Sequence, residues 1–432
     1  MRILRVGGAR SGEAVLTWGQ RYMLEKMSWL GDGAASSNLR VTFAPPTGTS
    51  VEAFAKALTA VAARNEALRT VFDDSRPGDE RQVLLREGRL ALYVVDSADV
   101  EDGVALRNAL TAAPFELVSD LPVRAMCLVD EGGLVERATL VFSHMAVDST
   151  SRYLVIEQLI AALLGRFRGD PSVLQPLNLV DLEKGDALRR RSDRALARWR
   201  TDVDTATLSA GLRPKIQRRP SRWRSAVIDS PRLNRAVEVI SRDRGVSAST
   251  VLLVFQQRMA ARILGDLPQV VVARASNRGM AHLRGYVGQL HQEVPLRLGG
   301  ARDDLGDAVN NAQQTSIAAY RYGVFDPRAL TAQMEKALSP RERWSAFGLV
   351  YNFVQDHGKV SAREVPPPPH DSPAVRWLES MNFDISHLYF SPGTDRNFQW
   401  LVDTEFLPAG EFEAAFRELH DEFVDVADRM DA

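Results

Sequence analysis

Cysteine is almost absent from this chain of 432 residues, which contains only Cys127. A single thiol can form neither an intrachain disulfide nor a cluster of thiolate metal ligands. Cys127 lies in the apolar, strand-like run 123–129, where a buried and unreactive thiol is expected. The sequence therefore excludes a disulfide-stabilised fold and a metal site built from cysteines.

Long apolar runs and common cofactor motifs are also missing. No stretch of about 18 apolar residues could span a membrane, and residues 1–8 lack the apolar core of a signal peptide. The histidines show no His-Glu-x-x-His spacing, and no glycine-rich phosphate loop occurs. We therefore expect a cytoplasmic protein with no metal, no nucleotide and no permanently bound cofactor.

The charges are balanced, with a formal net charge of −1 at pH 7. Arginines greatly outnumber lysines but are scattered among acidic residues, which is typical of solvated surfaces. Neither nucleic acid nor a membrane is expected as a partner. Hydrophobic residues make up 45% of the chain, as in ordinary globular proteins, and its length favours two large halves.

Apolar runs with strand-like and helix-like periods follow one another along the whole chain. Turn signals at 169–171 and 175–177 place a domain boundary near 165–180. A run of four prolines at 366–369 must be extended. The last helix carries apolar residues along one face, from Phe412 to Val426.

Residues 138–151 form the stretch with the clearest chemical content. An apolar strand at 138–142 leads to His144, and Asp148 follows four residues later. The polar cluster 149–151 is suited to capping a helix that we expect from about Ser151 to Leu164. A histidine at a strand end could be a general base, or it could be a hydrogen-bonded structural residue.

Several separate stretches resemble the condensation domains of nonribosomal peptide synthetases, and the resemblance covers nearly the whole chain. The sequence SHMAVDS at 143–149 is similar to the family signature His-His-x-x-x-Asp-Gly. The other matching stretches, in order, are LTxxQ at 16–20, RNEALRTVF at 64–72, FEL at 115–117, PVR at 122–124, NRG at 277–279, GQLHQEVPLR at 288–297 and YNF at 351–353.

The resemblance implies two chloramphenicol-acetyltransferase-like α/β halves in a V-shaped pseudo-dimer, each with a mixed sheet and flanking helices. The expected halves are residues 1–172, which carry the signature, and residues 173–432 with crossover segments. It also implies an acyltransferase that joins a thioester on the phosphopantetheine of an acyl or peptidyl carrier protein to an amine or alcohol acceptor. Because no carrier or adenylation segment fits within 432 residues, we expect a free-standing enzyme with the carrier protein supplied in trans. The product would be an amide or ester in natural-product biosynthesis.

The resemblance also implies roles for individual residues. His144 is the expected catalytic residue, which could take the proton of the nucleophile or orient the amine and stabilise the tetrahedral intermediate. Asp148 is expected to pair with Arg278 of the second half and to fix the loop of His144. Met145 and Asn352 are expected to line the oxyanion site or the tunnel.

Three positions depart from the family pattern. Ser143 replaces the first histidine and is expected to support the loop. Ser149 replaces the glycine, where it keeps the backbone N–H near the oxyanion but would be strained if that position needed a positive φ. Gln292 stands where the family usually has asparagine and could direct a hydrogen-bond donor into the tunnel.

Two other functions remain open on these residues. One is a coenzyme A-dependent acyltransferase of the same superfamily, although the Asp-Phe-Gly-Trp-Gly motif of its plant branch is absent. The other is a non-catalytic condensation-like domain that recruits a partner enzyme, which the substitutions Ser143 and Ser149 motivate.

Overall fold

The computed structural model describes residues 1–30, 35, 37–170, 172–207, 222–264, 269–299, 303–336, 348–353, 373–379, 388–392 and 397–431. The proline run 366–369 lies outside these residues. Two compact units emerge from the backbone contacts: Met1–Arg189 with Ser276–His291, and Arg190–Ala275 with Gln292–Ala432. The units thus divide at 189/190 and not at the expected 172/173, and a short segment from the second half of the sequence belongs to the first unit.

The first unit contains a five-stranded sheet of order β1-β6-β7-β8-β3 and a three-stranded sheet of order β2-β5-β4. Its strands are β1 (Arg2–Gly7), β2 (Gly12–Val15), β3 (Leu39–Phe43), β4 (Thr70–Asp73), β5 (Arg81–Leu84), β6 (Glu87–Asp96), β7 (Val123–Val129) and β8 (Val135–Phe142). Its helices are α1 (Trp18–Leu30), α2 (Val51–Arg64), α3 (Val100–Ala112), α4 (Ser149–Leu163) and α5 (Pro176–Glu183).

The second unit contains a seven-stranded mixed sheet of order β11-β10-β12-β14-β15-β9-β13. Its strands are β9 (Trp223–Asp229), β10 (Gln269–Ala275), β11 (Gln292–Leu298), β12 (Leu349–Tyr351), β13 (Ala374–Glu379), β14 (Leu388–Pro392) and β15 (Phe398–Asp403). Helix α6 (Asp186–Thr207) spans the change of unit, and α7 (Pro231–Arg244), α8 (Ala248–Leu264), α9 (Leu305–Tyr320), α10 (Pro327–Met334) and α11 (Ala409–Asp431) follow.

Each unit has its own apolar core. In the second unit, β10 runs parallel to β12 and β12 parallel to β14, and the neighbouring strand pairs are antiparallel. The apolar face of α11 is buried as its sequence period predicts, with Phe412, Phe416 and Phe423 fully covered. The predicted α/β class is confirmed.

The strand that leads to the site, β8, is an interior strand of the first sheet. It pairs antiparallel with β7 on one side and β3 on the other. Its last five residues, Ala138 to Phe142, are all buried, which explains why all of them except Thr139 are apolar. Helix α4 begins immediately beyond, so a six-residue connection carries the site.

Candidate active site

His144 is the one partly exposed side chain in the connection between β8 and α4. Ser143 and Asp148 are each about 1% exposed, and Met145, Ala146 and Val147 are covered within the core of the first unit. Backbone N–H groups of Ala146 and Val147 donate to the carbonyl of Ser143 at 3.1 and 3.2 Å and close a tight turn. Burial of its neighbours therefore fixes the backbone that presents the imidazole of His144.

The imidazole of His144 has polar contacts at Nδ1. The carbonyl oxygen of Val147 lies 3.0 Å from Nδ1, and the side-chain nitrogen of Gln289 lies 3.1 Å from it. Gln289 also donates to the backbone carbonyl of His144 at 2.9 Å. The ring of His291 lies nearly parallel to that of His144, with an interplanar angle of 19° and centroids 6.1 Å apart. The ring is thus oriented by its own turn and by the segment 289–291.

Asp148 binds Arg278 through both carboxylate oxygens. Nη1 of Arg278 donates to Oδ2 and Nη2 donates to Oδ1, each at 2.8 Å. Backbone N–H groups of Ser151 and Leu290 donate to the same carboxylate at 2.8 and 3.1 Å. The carboxylate thus receives four hydrogen bonds, which is how a buried charge is accommodated in a protein interior.

The bond from Ser151 makes Asp148 the N-cap of α4. The helix consequently begins at Ser149, earlier than the start near Ser151 that the polar cluster indicated. Ser151 instead directs its hydroxyl away from its own helix. The hydroxyl accepts from the N–H of Gly288 at 2.9 Å and donates to the Gly288 carbonyl at 2.8 Å, and Arg278 donates to it at 2.7 Å.

Local backbone features let the segment 276–291 lie close to the connection 143–148. Asn277 has a φ of 57°, and its side chain donates to the carbonyl of Leu290 at 2.8 Å. A Cβ at Gly288 would lie 2.3 to 2.5 Å from atoms of the Tyr286 ring, so a side chain there would displace the ring. A Cβ at Gly19 of α1 would lie 2.2 Å from the Gln289 carbonyl. Small residues thus permit these close approaches.

Burial raises the pKa of Tyr286 well above its usual value, and the carboxylates of Glu183 and Asp148 raise it further against the opposing effect of Arg278. The hydroxyl of Tyr286 therefore stays protonated at neutral pH and does not act as a base. Burial similarly raises the pKa of Cys127 to about 12. This supports the expectation that the thiol of Cys127 is unreactive.

The structure places the predicted residues in both units. His144, Asp148 and Arg278 come together in the first unit, because segment 276–291 belongs there and not with the second half. Ser143 supports the turn through its backbone, whereas its buried hydroxyl has no hydrogen-bond partner among the described residues. Ser149 opens α4 without strain, since Asn277 is the only described non-glycine residue with a positive φ.

The remaining predicted residues make local contacts. Met145 is fully buried in the core of the first unit. In the second unit, the side-chain nitrogen of Gln292 donates to the carbonyl of Phe325 at 2.8 Å, and its Oε1 accepts from the N–H of Phe325 at 3.3 Å. Asn352 donates to the hydroxyl of Tyr389 at 2.7 Å. None of these contacts requires a tunnel, and the lining role of the three residues stays a prediction.

Two residues of the site, Gln289 and Ser151, were not anticipated in these roles. Their partners are more than 130 positions away in the sequence, and neither residue type points to a particular chemistry. Within the described ranges, no group of three or more His, Cys, Asp or Glu side chains could hold a metal ion. Nor is any helix in those ranges both long and apolar enough to cross a membrane.

Comparison with known proteins adds a family assignment. Residues 10–356 match the family model described as "Condensation domain". A linear gramicidin synthase of Brevibacillus parabrevis is 24% identical over 338 residues, which cover 72% of this chain and 4% of that protein. The chain thus spans only a small part of the curated relatives it matches.

Solved structures with the same fold cover nearly the whole chain. The condensation domain of the Monacolin K polyketide synthase MokA matches with a TM-score of 0.72 and 15% identity, over 96% of this chain and 97% of that one. The starter condensation domain of rhizomide synthetase RzmA, solved with C8-CoA and Leu-SNAC, matches with a TM-score of 0.69 and 15% identity over 96% and 94%. The predicted chloramphenicol-acetyltransferase-like fold with two subdomains is confirmed.

Proposed function

Because this chain belongs to the condensation-domain family, we propose that it is a condensation enzyme that transfers an acyl group from a carrier-protein thioester to an amine or alcohol. The thioester is delivered in trans on the phosphopantetheine arm of a carrier protein. The product is an amide or ester of the kind assembled in natural-product biosynthesis. The protein needs no cofactor of its own for this reaction.

The observation that carries the proposal is the presentation of His144. Its imidazole is the one side chain of the 143–148 turn that is not buried, and the Asp148–Arg278 pair stabilises the backbone on its C-terminal side. An imidazole can exchange a proton at neutral pH, as general acid–base catalysis requires. No other described residue of this turn has a side chain suited to that role.

In the proposed reaction, the acceptor nitrogen attacks the thioester carbonyl and a C–N bond forms. His144 takes the proton that the nitrogen loses, or orients the amine while the proton leaves. The tetrahedral intermediate then collapses, the C–S bond breaks, and the thiolate leaves on the carrier arm and receives the proton. An alcohol acceptor follows the same sequence and gives an ester.

The proposed donor is tested with a panel of substrates. The protein is mixed with carrier proteins loaded with acyl or aminoacyl groups and, separately, with the same acyl groups on free coenzyme A. Amines and alcohols are offered as acceptors, and products are identified by mass spectrometry. We expect product from the loaded carriers that is lost in His144→Ala and retained in His282→Ala, which removes an exposed histidine of the same unit.

Other outcomes would select the alternatives. Turnover with free acyl-coenzyme A but not with any loaded carrier would assign a coenzyme A-dependent acyltransferase. Absence of His144-dependent product over the whole panel, together with specific binding to a partner enzyme, would assign a recruitment domain. Equal product from wild type and His144→Ala would refute the catalytic role of His144.

A further inference from the structure

Gln289 is a fully buried glutamine whose side-chain amide is held from two directions. Its Oε1 accepts from the backbone N–H of His291 at 3.1 Å, and its Nε2 donates to the backbone carbonyl of His144 at 2.9 Å. Reversing the amide would place an acceptor against a carbonyl oxygen and a donor against an N–H. Its orientation is therefore fixed, with the –NH₂ group toward His144.

A primary amide has two N–H groups, and Nε2 of Gln289 also lies 3.1 Å from Nδ1 of His144. The carbonyl oxygen of Val147 lies 3.0 Å from the same nitrogen. The carbonyl can only accept and therefore requires a proton on Nδ1. The amide N–H can only donate and therefore requires a lone pair on Nδ1.

A neutral imidazole has one proton and cannot satisfy both neighbours in a single form. With the ring proton on Nδ1, the hydrogen bond from Nδ1 to the Val147 carbonyl forms, and Nε2 of His144 carries a lone pair that can accept a proton. With the ring proton on Nε2 of His144, the hydrogen bond from Gln289 to Nδ1 forms, and Nε2 of His144 is a donor. The tautomer thus decides whether Nε2 acts as a base or as a hydrogen-bond donor.

We propose that Gln289 is a positioning residue that sets the tautomer of His144. The second N–H of Gln289 stabilises the form with the proton on Nε2 of His144, whereas the Val147 carbonyl stabilises the form with the proton on Nδ1. The resting imidazole is therefore divided between the two forms. The consequence of this inference for catalysis rests on the proposed function. One form of His144 can take the proton of the acceptor amine, and the other can donate a hydrogen bond to the oxygen of the tetrahedral intermediate.

The test is a nitrogen-15 NMR measurement of the resting protein, labelled at histidine. Two-bond ¹H–¹⁵N correlations report the protonation of each ring nitrogen, and the His144 signals are those missing in His144→Ala. Spectra are taken at a pH above which the His144 shifts no longer change. In wild type we expect intermediate shifts at both nitrogens, as for two forms in exchange.

Gln289→Met removes the donor, and both signals should move toward the form with the proton on Nδ1. Gln289→Leu also lacks the donor, should move them in the same direction, and serves if the Met variant folds poorly. Gln82→Met is the matched control, because Gln82 is a fully buried amide of the same unit that bonds Val15 and Gln20. It should leave the His144 signals in place.

Unchanged His144 signals in a folded Gln289→Met or Gln289→Leu protein would overturn the proposal, as would movement toward the form with the proton on Nε2 of His144. A purely structural role of Gln289 would lower stability without changing the tautomer ratio. The measurement uses no substrate. A failure here is therefore distinct from a failure of His144-dependent turnover, and either result can hold without the other.

Discussion

Both units contain a buried arginine that binds an aspartate through two hydrogen bonds, yet the two pairs occupy different places. In the first unit Arg278 binds Asp148, with side chains 8% and 2% exposed. In the second, Arg222 binds Asp403 at 2.7 and 2.6 Å, with side chains 4% and 0% exposed. Geometry and burial are alike, so neither property alone marks a functional site.

The difference lies in what each pair holds. Arg222 immediately precedes β9 and Asp403 ends β15, so this pair joins the ends of two adjacent strands that already exchange backbone hydrogen bonds. Asp148 instead joins three segments that share no sheet pairing: the turn of His144, the start of α4 and the segment 276–291. The pair for which we propose a functional consequence is therefore the one that holds irregular segments beside an accessible imidazole.

The largest effect is expected for Asp148→Ala. It leaves Arg278 buried without its counter-ion and removes the N-cap of α4, so the free energy of unfolding of the first unit should fall by about 3–5 kcal/mol. Turnover should fall as well, because the turn of His144 loses its partner. Denaturant titration with the rate of alkylation of Cys127 as readout reports on this unit, since Cys127 is fully buried there.

Asp403→Ala should produce a loss of similar size, about 3–5 kcal/mol, in the second unit. Trp223 and Trp400 are buried in that unit, and their fluorescence should report unfolding at lower denaturant. Alkylation of Cys127 below that transition should keep the wild-type rate. If Asp403→Ala instead accelerated Cys127 alkylation as strongly as Asp148→Ala, the assignment of each pair to its own unit would be wrong.

A smaller effect is expected from Glu80, which binds Arg21 of α1 at 2.5 Å in the first unit. Burial alone would raise the pKa of Glu80, but hydrogen bonds from the Gly78 N–H and the Arg21 guanidinium outweigh it and lower the pKa to about 2. The folded pKa lies below the unfolded value of about 4.3, so this stabilisation is present above that value and is lost as the pH falls toward 2.

The free energy of unfolding of Glu80→Gln should therefore fall less steeply than that of wild type as the pH drops from about 4.3 to 2. The substitution should change this free energy less than Asp148→Ala does. Thermal unfolding of both proteins across this pH range measures the difference. Parallel profiles for wild type and Glu80→Gln would show that Glu80 contributes nothing to acid unfolding.

His144 and Asp148 can be predicted from the sequence because the family signature carries both at a fixed spacing. Arg278 can be predicted because it lies in a second matching stretch, NRG at 277–279, and the structure brings the three residues together. The sequence does not indicate that Asp148 also caps α4, since the polar cluster 149–151 offers an equally good cap. Nor does chain order reveal that the segment 276–291, with Arg278, belongs to the first unit and not to the second half.

Gln289 escaped prediction for a different reason. A glutamine between glycine and leucine has no characteristic pattern, and its partner His144 lies 145 positions earlier. Gln292 lies three residues further on, and the structure shows its amide bonded to the Phe325 backbone. Its role as a donor in the tunnel stays a prediction. Which of two nearby glutamines contacts the histidine depends on where segment 276–291 ends and β11 begins, and that appears only in three dimensions.

The proton-handling role of His144 is the centre of this account, and a single-turnover rate measures it most directly. A carrier protein loaded with one acyl group is mixed with excess enzyme and acceptor amine, and amide formation is followed in wild type and His144→Ala. We expect a rate that is lower by a factor of about 10²–10⁴ in the variant, the range typical of a lost acid–base group, with an unchanged melting temperature. Equal rates in the two folded proteins would contradict it.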